Sequence, residues 1–145
     1  MNDLQRGKKR IGILIVEDDA EAGAIARRLM ALEFPEATLY SAADGIIGIA
    51  QFKEHRPDIV ITDIGMPGLD GVEMARAIKA MRPETKFVVL TAHNEKSLID
   101  QFKQMGIEIY LLKPLNFDLL VAAIKKYIEE IGSGASGSRP DIPLK

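Results

Sequence analysis

Five short apolar runs alternate along the chain with longer segments in which apolar residues recur every three or four positions. The first run, residues 11–16, is apolar at every position except one glycine, which is typical of a strand buried on both faces of a sheet. The other runs predict strands at residues 38–41, 58–62, 87–90 and 108–112. Strands and helices that alternate at this spacing predict an α/β domain with a doubly wound, five-stranded parallel sheet.

The segments between and after these runs predict five helices. They begin near Asp19, near Asp44, after Asp70, near Glu95 and near Phe117, and the last ends near residue 131. Asp70 and Glu73 are spaced as a capping box at the start of the third helix. In the first two helices, the residues at helical spacing that we expect to form an apolar face are Ile25, Leu29, Leu32, Ile46, Ile49 and Ala50.

The composition divides the chain into three segments. Residues 1–10 are polar and predict a flexible start, and residues 11–131 predict one domain. Residues 132–145 begin with a run of glycine and serine that is typical of a flexible linker, a tail or a cloning remnant. The chain has 145 residues and 47% of them are apolar, which is enough for a hydrophobic core.

Charge and cysteine content exclude several classes of function. The 19 lysines and arginines nearly balance the 21 aspartates and glutamates, so the net charge gives no indication of nucleic-acid binding. The chain has no cysteine, which excludes disulfides and thiolate metal sites. The apolar run after Lys8, Lys9 and Arg10 is too short for a signal peptide or a membrane span. We therefore expect a cytoplasmic protein that does not insert into a membrane.

Polar side chains follow four of the predicted strands at the point where each strand ends. They are Glu17, Asp18 and Asp19 after the first strand, Asp63 after the third, Thr91 after the fourth and Lys113 after the fifth. Each alone has an ordinary interpretation as a helix cap, a strand-forming residue or a solvated lysine. Parallel strands place their carboxyl ends at one edge of the sheet, so the joint pattern predicts one pocket.

Carboxylates, a hydroxyl and an ammonium in one pocket suit phosphoryl transfer. Carboxylate oxygens bind Mg²⁺, which keeps water molecules that a phosphate can replace. The ammonium and the hydroxyl can hold phosphoryl oxygens while one carboxylate attacks phosphorus. The sequence therefore predicts formation of an aspartyl phosphate.

Four motifs then identify a family. They are residues 13–18, residues 57–67 with Asp70 and Gly71, residues 89–92 and residues 110–114. Over residues 10–131 the chain resembles the receiver domain of two-component response regulators. The resemblance implies the flavodoxin-like (βα)5 fold with strand order 2-1-3-4-5. It also implies a signalling domain that assists its own phosphorylation and dephosphorylation rather than an enzyme.

The resemblance implies a role for each pocket residue. Asp63 would accept a phosphoryl group from a histidine kinase, a histidine phosphotransfer protein or a small phosphodonor. Asp18, Asp63 and the backbone carbonyl of Gly65 would bind Mg²⁺ directly, and Glu17 would bind it through water. Asp19 has no role in the family, and we expect it to cap the first helix.

The resemblance also implies a switch. Thr91 and Lys113 would hold the phosphoryl oxygens, Thr91 would move inward, and the side chain of Tyr110 would turn toward the vacated space. The peptide bond from Lys113 to Pro114 is commonly cis in the family. The altered surface would lie on the fourth helix, fifth strand and fifth helix, where it would contact an unknown downstream protein or a second copy of the chain. In the family, the side chains at the positions of Gly65 and His93 influence how quickly water reaches the phosphoryl group.

Several alternatives stay open to different degrees. A flavodoxin-like FMN carrier needs a phosphate-binding loop after the first strand, where this chain has three acidic residues. A hydrolase of the haloacid dehalogenase type needs a second aspartate at the position of Gly65. A receiver that is never phosphorylated usually lacks part of the acidic pocket, which is complete here. The chain is either a single-domain regulator or a receiver excised from a hybrid histidine kinase or a multidomain regulator.

Overall fold

Strands and helices alternate regularly along the computed structural model, which describes residues 10–65, 71–92 and 95–133. The strands are β1 (Gly12–Val16), β2 (Thr38–Ala42), β3 (Ile59–Asp63), β4 (Lys86–Thr91) and β5 (Ile109–Leu112). The helices are α1 (Ala20–Glu33), α2 (Gly45–His55), α3 (Gly71–Met81), α4 (Lys96–Gln104) and α5 (Phe117–Ser133). Within these described segments, no helix has the length and apolar character needed to cross a bilayer.

The five strands form one parallel sheet in the order β2-β1-β3-β4-β5, which confirms the predicted fold and strand order. Every residue of β1 and β3 is buried, as their unbroken apolar runs predicted. The register pairs Val16 with Thr62 and Asp63 with Leu90, and Thr91 with Leu112. The residues that follow these strands therefore leave the sheet at the same edge.

The helices cover both faces of the sheet and form two cores. One core joins alternate strand residues to α2, α3 and α4 through side chains such as Phe52, Ile78 and Phe102. The other joins the remaining strand residues to α1 and α5 through side chains such as Met30 and Ile124. Because a core packs on each face, the strands are held rigidly. Side chains at their carboxyl ends are therefore held in fixed positions relative to one another.

The predicted apolar face of α1 was correct only at Leu29, which packs against the core. Ala26 and Met30 are the buried residues of this helix, whereas Ile25 is 45% exposed and Leu32 is 74% exposed. Leu29 is only partly buried. Ala26 is part of the core although its side chain is small, so a pattern of large apolar residues does not detect it.

The predicted apolar face of α2 was correct only at Ile49. Gly45, Gly48 and Phe52 are buried, whereas Ile46 is 64% exposed and Ala50 is also exposed. Ile49 is partly buried against the core. At Gly48 an added Cβ atom would lie 2.7 Å from the sulfur of Met74 on α3. The two helices pack so closely there that glycine forms the contact, and a pattern of large apolar residues does not detect glycine.

Most predicted helix starts agree with the structure. The carboxylate of Asp19 accepts hydrogen bonds from the backbone N–H groups of Glu21 and Ala22, which confirms it as the cap of α1. Asp44 caps α2 in the same way. The predicted cap Asp70 and the loop residue His93 lie outside the described residues. Helix α5 ends at Ser133, slightly later than predicted, and the division of the chain into flexible ends and one domain stays a prediction.

Candidate functional site

Three of the predicted acidic residues meet at the carboxyl edge of the sheet. Glu17 and Asp18 follow β1, and Asp63 is the last residue of β3, the neighbouring strand. Each residue offers one carboxylate oxygen, and these three oxygens lie within 4.8 Å of one another. Asp63 is buried, Glu17 is half-buried and Asp18 is exposed, so the cluster opens toward solvent on the side of Asp18.

Lys113 brings a positive charge into this cluster. Its ammonium nitrogen lies 2.6 Å from Oδ1 of Asp63, which is within charge-assisted hydrogen-bond distance. Partial burial alone would lower the pKa of Lys113, but the hydrogen bond to Asp63 and the charges of Asp63, Glu17 and Asp18 outweigh it and raise that pKa. Lys113 is therefore charged at neutral pH. The Lys113–Pro114 peptide bond is cis, as predicted.

The carboxyl group of Glu17 is strongly affected by its surroundings. Burial and the neighbouring carboxylate of Asp63 raise the pKa of Glu17 to about 7, although Lys113 and a hydrogen bond from the backbone N–H of Asp19 act in the opposite direction. One ammonium does not neutralise three carboxylates. Clustered carboxylate oxygens that lack enough positive charge form a suitable ligand set for a divalent cation such as Mg²⁺.

Thr91 ends β4 and is almost fully buried, with 2% of its surface exposed. Its hydroxyl group lies 3.0 Å from the carbonyl oxygen of Ala92 and 3.2 Å from Oε1 of Glu95, and its single proton can be donated to either. Its carbonyl oxygen accepts a hydrogen bond from the backbone N–H of Lys113. The backbone of β4 thus fixes the start of the segment that carries the lysine.

Glu95 belongs to this site, and the sequence did not indicate it. Its Oε1 atom accepts a second hydrogen bond, 2.8 Å long, from the backbone N–H of Ala92. Its Oε2 atom would lie 3.0 Å from a Cβ atom added to Gly65. An acidic residue at the start of a helix is common and favourable. The sequence therefore offered no signal that this carboxylate turns back to the end of β4.

Asp19 does not belong to the cluster, as predicted, because its carboxylate caps α1. Gly65 is exposed and follows Asp63 by two positions at the edge of the site. A second buried carboxylate, Asp58, lies at the other end of β3 and pairs with Arg82 at 3.0 Å. That ion pair joins the residue before β3 to the residue after α3 and takes no part in the cluster.

Tyr110, the predicted switch residue, lies on the edge strand β5. Its hydroxyl group donates a hydrogen bond to the carbonyl oxygen of Ile107, and its ring packs against the core that α4 covers. Burial, together with the charges of Glu108 and Asp100, raises the pKa of Tyr110 to about 12. The side chain is half-buried and lies next to the strand that ends in Thr91.

An apolar groove of about 240 Å³ adjoins the cluster. Ile25 and Ala26 of α1 form one side, and Leu115 and Phe117 form part of the other side, near the start of α5. Glu17 and Lys113 also line this groove. Ile25 and Phe117 are 45% and 39% exposed, so apolar surface lies directly beside the charged site.

Comparison with known proteins places this geometry in a family. Residues 13–125 match the family model described as the response regulator receiver domain. The chain belongs to this family. Receiver domains are signalling domains of two-component systems that bind Mg²⁺ at an acidic pocket. In this chain Glu17, Asp18 and Asp63 form an acidic cluster.

Individual relatives agree with this assignment. The receiver domain is 30% identical over 125 residues to the transcriptional regulatory protein DegU of Brevibacillus brevis, covering 86% of this chain and 52% of DegU. The chain therefore spans about half the length of this curated relative. It also resembles the crystal structure of a response regulator receiver domain protein from Clostridium thermocellum, with a TM-score of 0.79, 26% identity and coverage of 86% of this chain and 99% of that chain.

A third match concerns a complex. The co-crystal structure of the Saccharomyces cerevisiae histidine phosphotransfer signaling protein Ypd1 and the receiver domain of its downstream response regulator Ssk1 matches with a TM-score of 0.70 and 25% identity. The match covers 81% of this chain and 88% of that chain. Receiver domains thus interact with histidine phosphotransfer proteins or histidine kinases.

Proposed function

We propose that this receiver domain accepts a phosphoryl group on Asp63. The observation that carries the proposal is the 2.6 Å contact between Lys113 and the buried carboxylate of Asp63, within a cluster of three carboxylates. Burial among carboxylates is unfavourable for an aspartate unless positive charge is close. This arrangement suits a carboxylate that receives an anion rather than one that only stabilises the fold.

The proposed reaction is a direct displacement at phosphorus. A carboxylate oxygen of Asp63 attacks phosphorus, a P–O bond forms, and the bond from phosphorus to the imidazole nitrogen of the donor breaks. The nitrogen leaves with the electron pair of that bond. Lys113 stays close enough to donate a hydrogen bond to a phosphoryl oxygen and to offset the added negative charge.

Mg²⁺ would be held by Asp18, Asp63 and the backbone carbonyl of Gly65, and by Glu17 through water. When bound, it would supply positive charge to the phosphoryl oxygens. Glu17 would hold the metal-bound water best after it releases any proton it carries, since the deprotonated carboxylate accepts hydrogen bonds and adds negative charge near the ion. The domain would turn over no separate substrate and would assist only its own phosphorylation and dephosphorylation.

Phosphorylation would change the surface formed by α4, β5 and α5. Thr91 would turn toward the phosphoryl group, and the ring of Tyr110 would follow toward β4. Moving an equilibrium from 1:99 to 99:1 needs about 5.5 kcal/mol, which exceeds what a few new hydrogen bonds supply. A downstream protein or a second copy of the chain would therefore complete the change by binding this surface.

The apolar groove beside Glu17 and Lys113 would bind the protein that donates the phosphoryl group. Its apolar lining offers contact area next to the site, and the Ypd1–Ssk1 complex supports a phosphotransfer protein as the partner. Ile25→Glu places a charge in the groove, so we expect slower transfer from a histidine phosphotransfer protein and unchanged phosphorylation by acetyl phosphate. Leu32→Glu is the matched control, because Leu32 is 74% exposed on the same helix and does not line the groove.

The test of the phosphoacceptor is incubation with Mg²⁺ and acetyl phosphate, followed by intact mass measurement. We expect the wild-type chain to gain one phosphoryl group and Asp63→Asn to gain none. An equal gain in both chains, or no gain in the wild type, contradicts the proposal. Oligomeric state with and without beryllofluoride then tests dimerisation as an output, and a monomer under both conditions argues against it.

A further inference from the structure

The carboxylate of Glu95 lies within hydrogen-bond distance of both donors at the end of β4, the Thr91 hydroxyl and the Ala92 amide. Its Oε1 atom lies 3.2 Å from the hydroxyl oxygen of Thr91 and 2.8 Å from the backbone nitrogen of Ala92. We propose that Glu95 is an internal competitor of the phosphoryl group, which holds these donors in the unphosphorylated chain and must leave them when Asp63 is phosphorylated. This inference rests on the proposed function.

The position of Glu95 in its own helix supports this role. Glu95 is the N-cap residue of α4, yet its side chain makes no capping hydrogen bond. Asp19 and Asp44, by contrast, accept hydrogen bonds from the first backbone N–H groups of α1 and α2. The carboxylate of Glu95 has turned away from the amide groups that a capping side chain ordinarily satisfies.

The second carboxylate oxygen extends the contact to the segment that follows β3. A Cβ atom at Gly65 would lie 3.0 Å from Oε2 of Glu95, and Gly65 follows Asp63 by two positions. The carboxylate thus lies between the exit of the strand that carries Asp63 and the exit of the strand that carries Thr91. Glycine at position 65 leaves the space in which this carboxylate fits.

Competition follows from the chemistry of the donors. The Thr91 hydroxyl has one proton to donate and the Ala92 amide has one, so neither can satisfy Glu95 and a phosphoryl oxygen at full strength. A carboxylate and a phosphoryl group also repel each other because both are anionic. A phosphoryl group that takes these donors displaces Glu95, and the freed carboxylate can then accept from the N–H groups of α4. Phosphorylation would thereby change the start of α4.

The experiment compares beryllofluoride affinity, in the presence of Mg²⁺, among the wild type, Glu95→Ala, Glu95→Gln and Glu33→Gln. We expect Glu95→Ala to bind roughly tenfold more tightly, which corresponds to about 1.4 kcal/mol. Glu95→Gln should show a smaller gain, because its amide oxygen still accepts hydrogen bonds but carries no charge. Glu33→Gln removes a charge from an exposed position at the end of α1 and should bind as the wild type does.

A second measurement tests the contact without any phosphoryl mimic. In the metal-free chain, the amide proton of Ala92 should shift upfield in Glu95→Ala, because its hydrogen bond to the carboxylate is lost. Equal beryllofluoride affinity in all four chains, or weaker binding by Glu95→Ala, overturns the competition. Failure of every chain to bind beryllofluoride overturns the proposed function as well, which separates the two failures.

Discussion

The ammonium nitrogen of Lys113 lies 2.6 Å from Oδ1 of Asp63, although the lysine follows β5 and the aspartate ends β3. Strand β4 separates these two strands in the sheet, so the lysine side chain reaches past the end of β4. The two residues differ in exposure, since the Asp63 side chain is 6% exposed and that of Lys113 is 44% exposed. The buried carboxylate of Asp63 therefore depends for its neutralising charge on a lysine that is partly exposed to solvent.

Lys113→Ala should lower the free energy of unfolding by about 1–2 kcal/mol, because it leaves Asp63 buried beside Glu17 without a positive charge. This is less than the 3–5 kcal/mol typical of a fully buried pair, since water screens the exposed lysine. Urea denaturation without Mg²⁺ measures the change. Lys86→Ala is the control, because it breaks an ion pair with Glu130, whose side chain is 36% exposed and so can be solvated without the lysine. It should change stability by less than about 1 kcal/mol.

In a chain that already carries Asp63→Asn, Lys113→Ala should change the free energy of unfolding much less. The neutral amide needs no ammonium partner, so the double-mutant cycle should give a coupling energy above about 0.5 kcal/mol. Additive effects of the two substitutions in urea denaturation would show that Lys113 stabilises the fold independently of Asp63.

Glu17 should make stability depend on pH. Its pKa is raised from 4.5 to about 7, so the folded chain binds more protons than the unfolded chain between these values. The stabilisation from this proton is fully present below pH 4.5 and is lost as the pH rises through about 7. Glu17→Gln should therefore be more stable than the wild type at about pH 8, with a smaller difference at about pH 5.

Urea denaturation at both pH values, without Mg²⁺, measures this dependence. Glu129→Gln, an exposed position on α5, is the control and should follow the wild type at both values. Stability curves for Glu17→Gln and wild type that run parallel across this range would disprove the raised pKa.

Mg²⁺ affinity should rise with pH over the same range. Below about pH 7 the bound ion favours release of the Glu17 proton, so the apparent affinity should increase as the pH rises toward this value and then level off above it. Isothermal titration calorimetry in buffers of different ionisation enthalpy measures both the affinity and the released proton. Glu17→Gln should bind more weakly with a flatter pH dependence, and an equally steep dependence in that variant would assign the proton to another group.

Tyr110→Phe should lower the free energy of unfolding by about 1 kcal/mol. The substitution removes the hydrogen bond to the carbonyl oxygen of Ile107 and keeps the ring that packs beside α4. Tyr40→Phe keeps a ring that stacks on His55 and should change stability by less than about 0.5 kcal/mol. Chemical denaturation of both variants provides the comparison, and equal effects would mean that the Tyr110 hydroxyl contributes nothing specific.

Gly71→Ala should destabilise the chain by about 1–3 kcal/mol and disturb the site. A Cβ atom at this position would lie 2.8 Å from the carbonyl oxygen of Asp63 and 2.9 Å from that of Ile64, and these backbone atoms have little freedom to move. Gly132→Ala is the matched control, because nothing lies within 4 Å of its added Cβ and alanine favours a helix by up to about 1 kcal/mol. In thermal denaturation, the midpoint temperature should therefore fall for Gly71→Ala and rise for Gly132→Ala.

Much of the fold could be predicted from local patterns. The apolar run before Glu17 identified a buried strand, and the acidic residue at position 19 identified a helix start. These signals are local because a strand buried on both faces needs apolar residues throughout and an N-cap needs a particular side chain. The inward faces of α1 and α2 could not be predicted, because Ala26 and Gly48 pack by being small and leave little hydrophobic signal.

The sequence alone determined which residues end the strands, since Asp63, Thr91 and Lys113 stand next to apolar runs whose type and direction the alternating pattern specifies. It also determined the family through the order of its motifs. Only the tertiary structure decided that Lys113 reaches Asp63 across the end of β4 and that the carboxylate of Glu95 turns from its own helix to Thr91. Such contacts depend on the three-dimensional positions and rotamers of residues that no local pattern connects, and they appear only when the whole sheet is assembled.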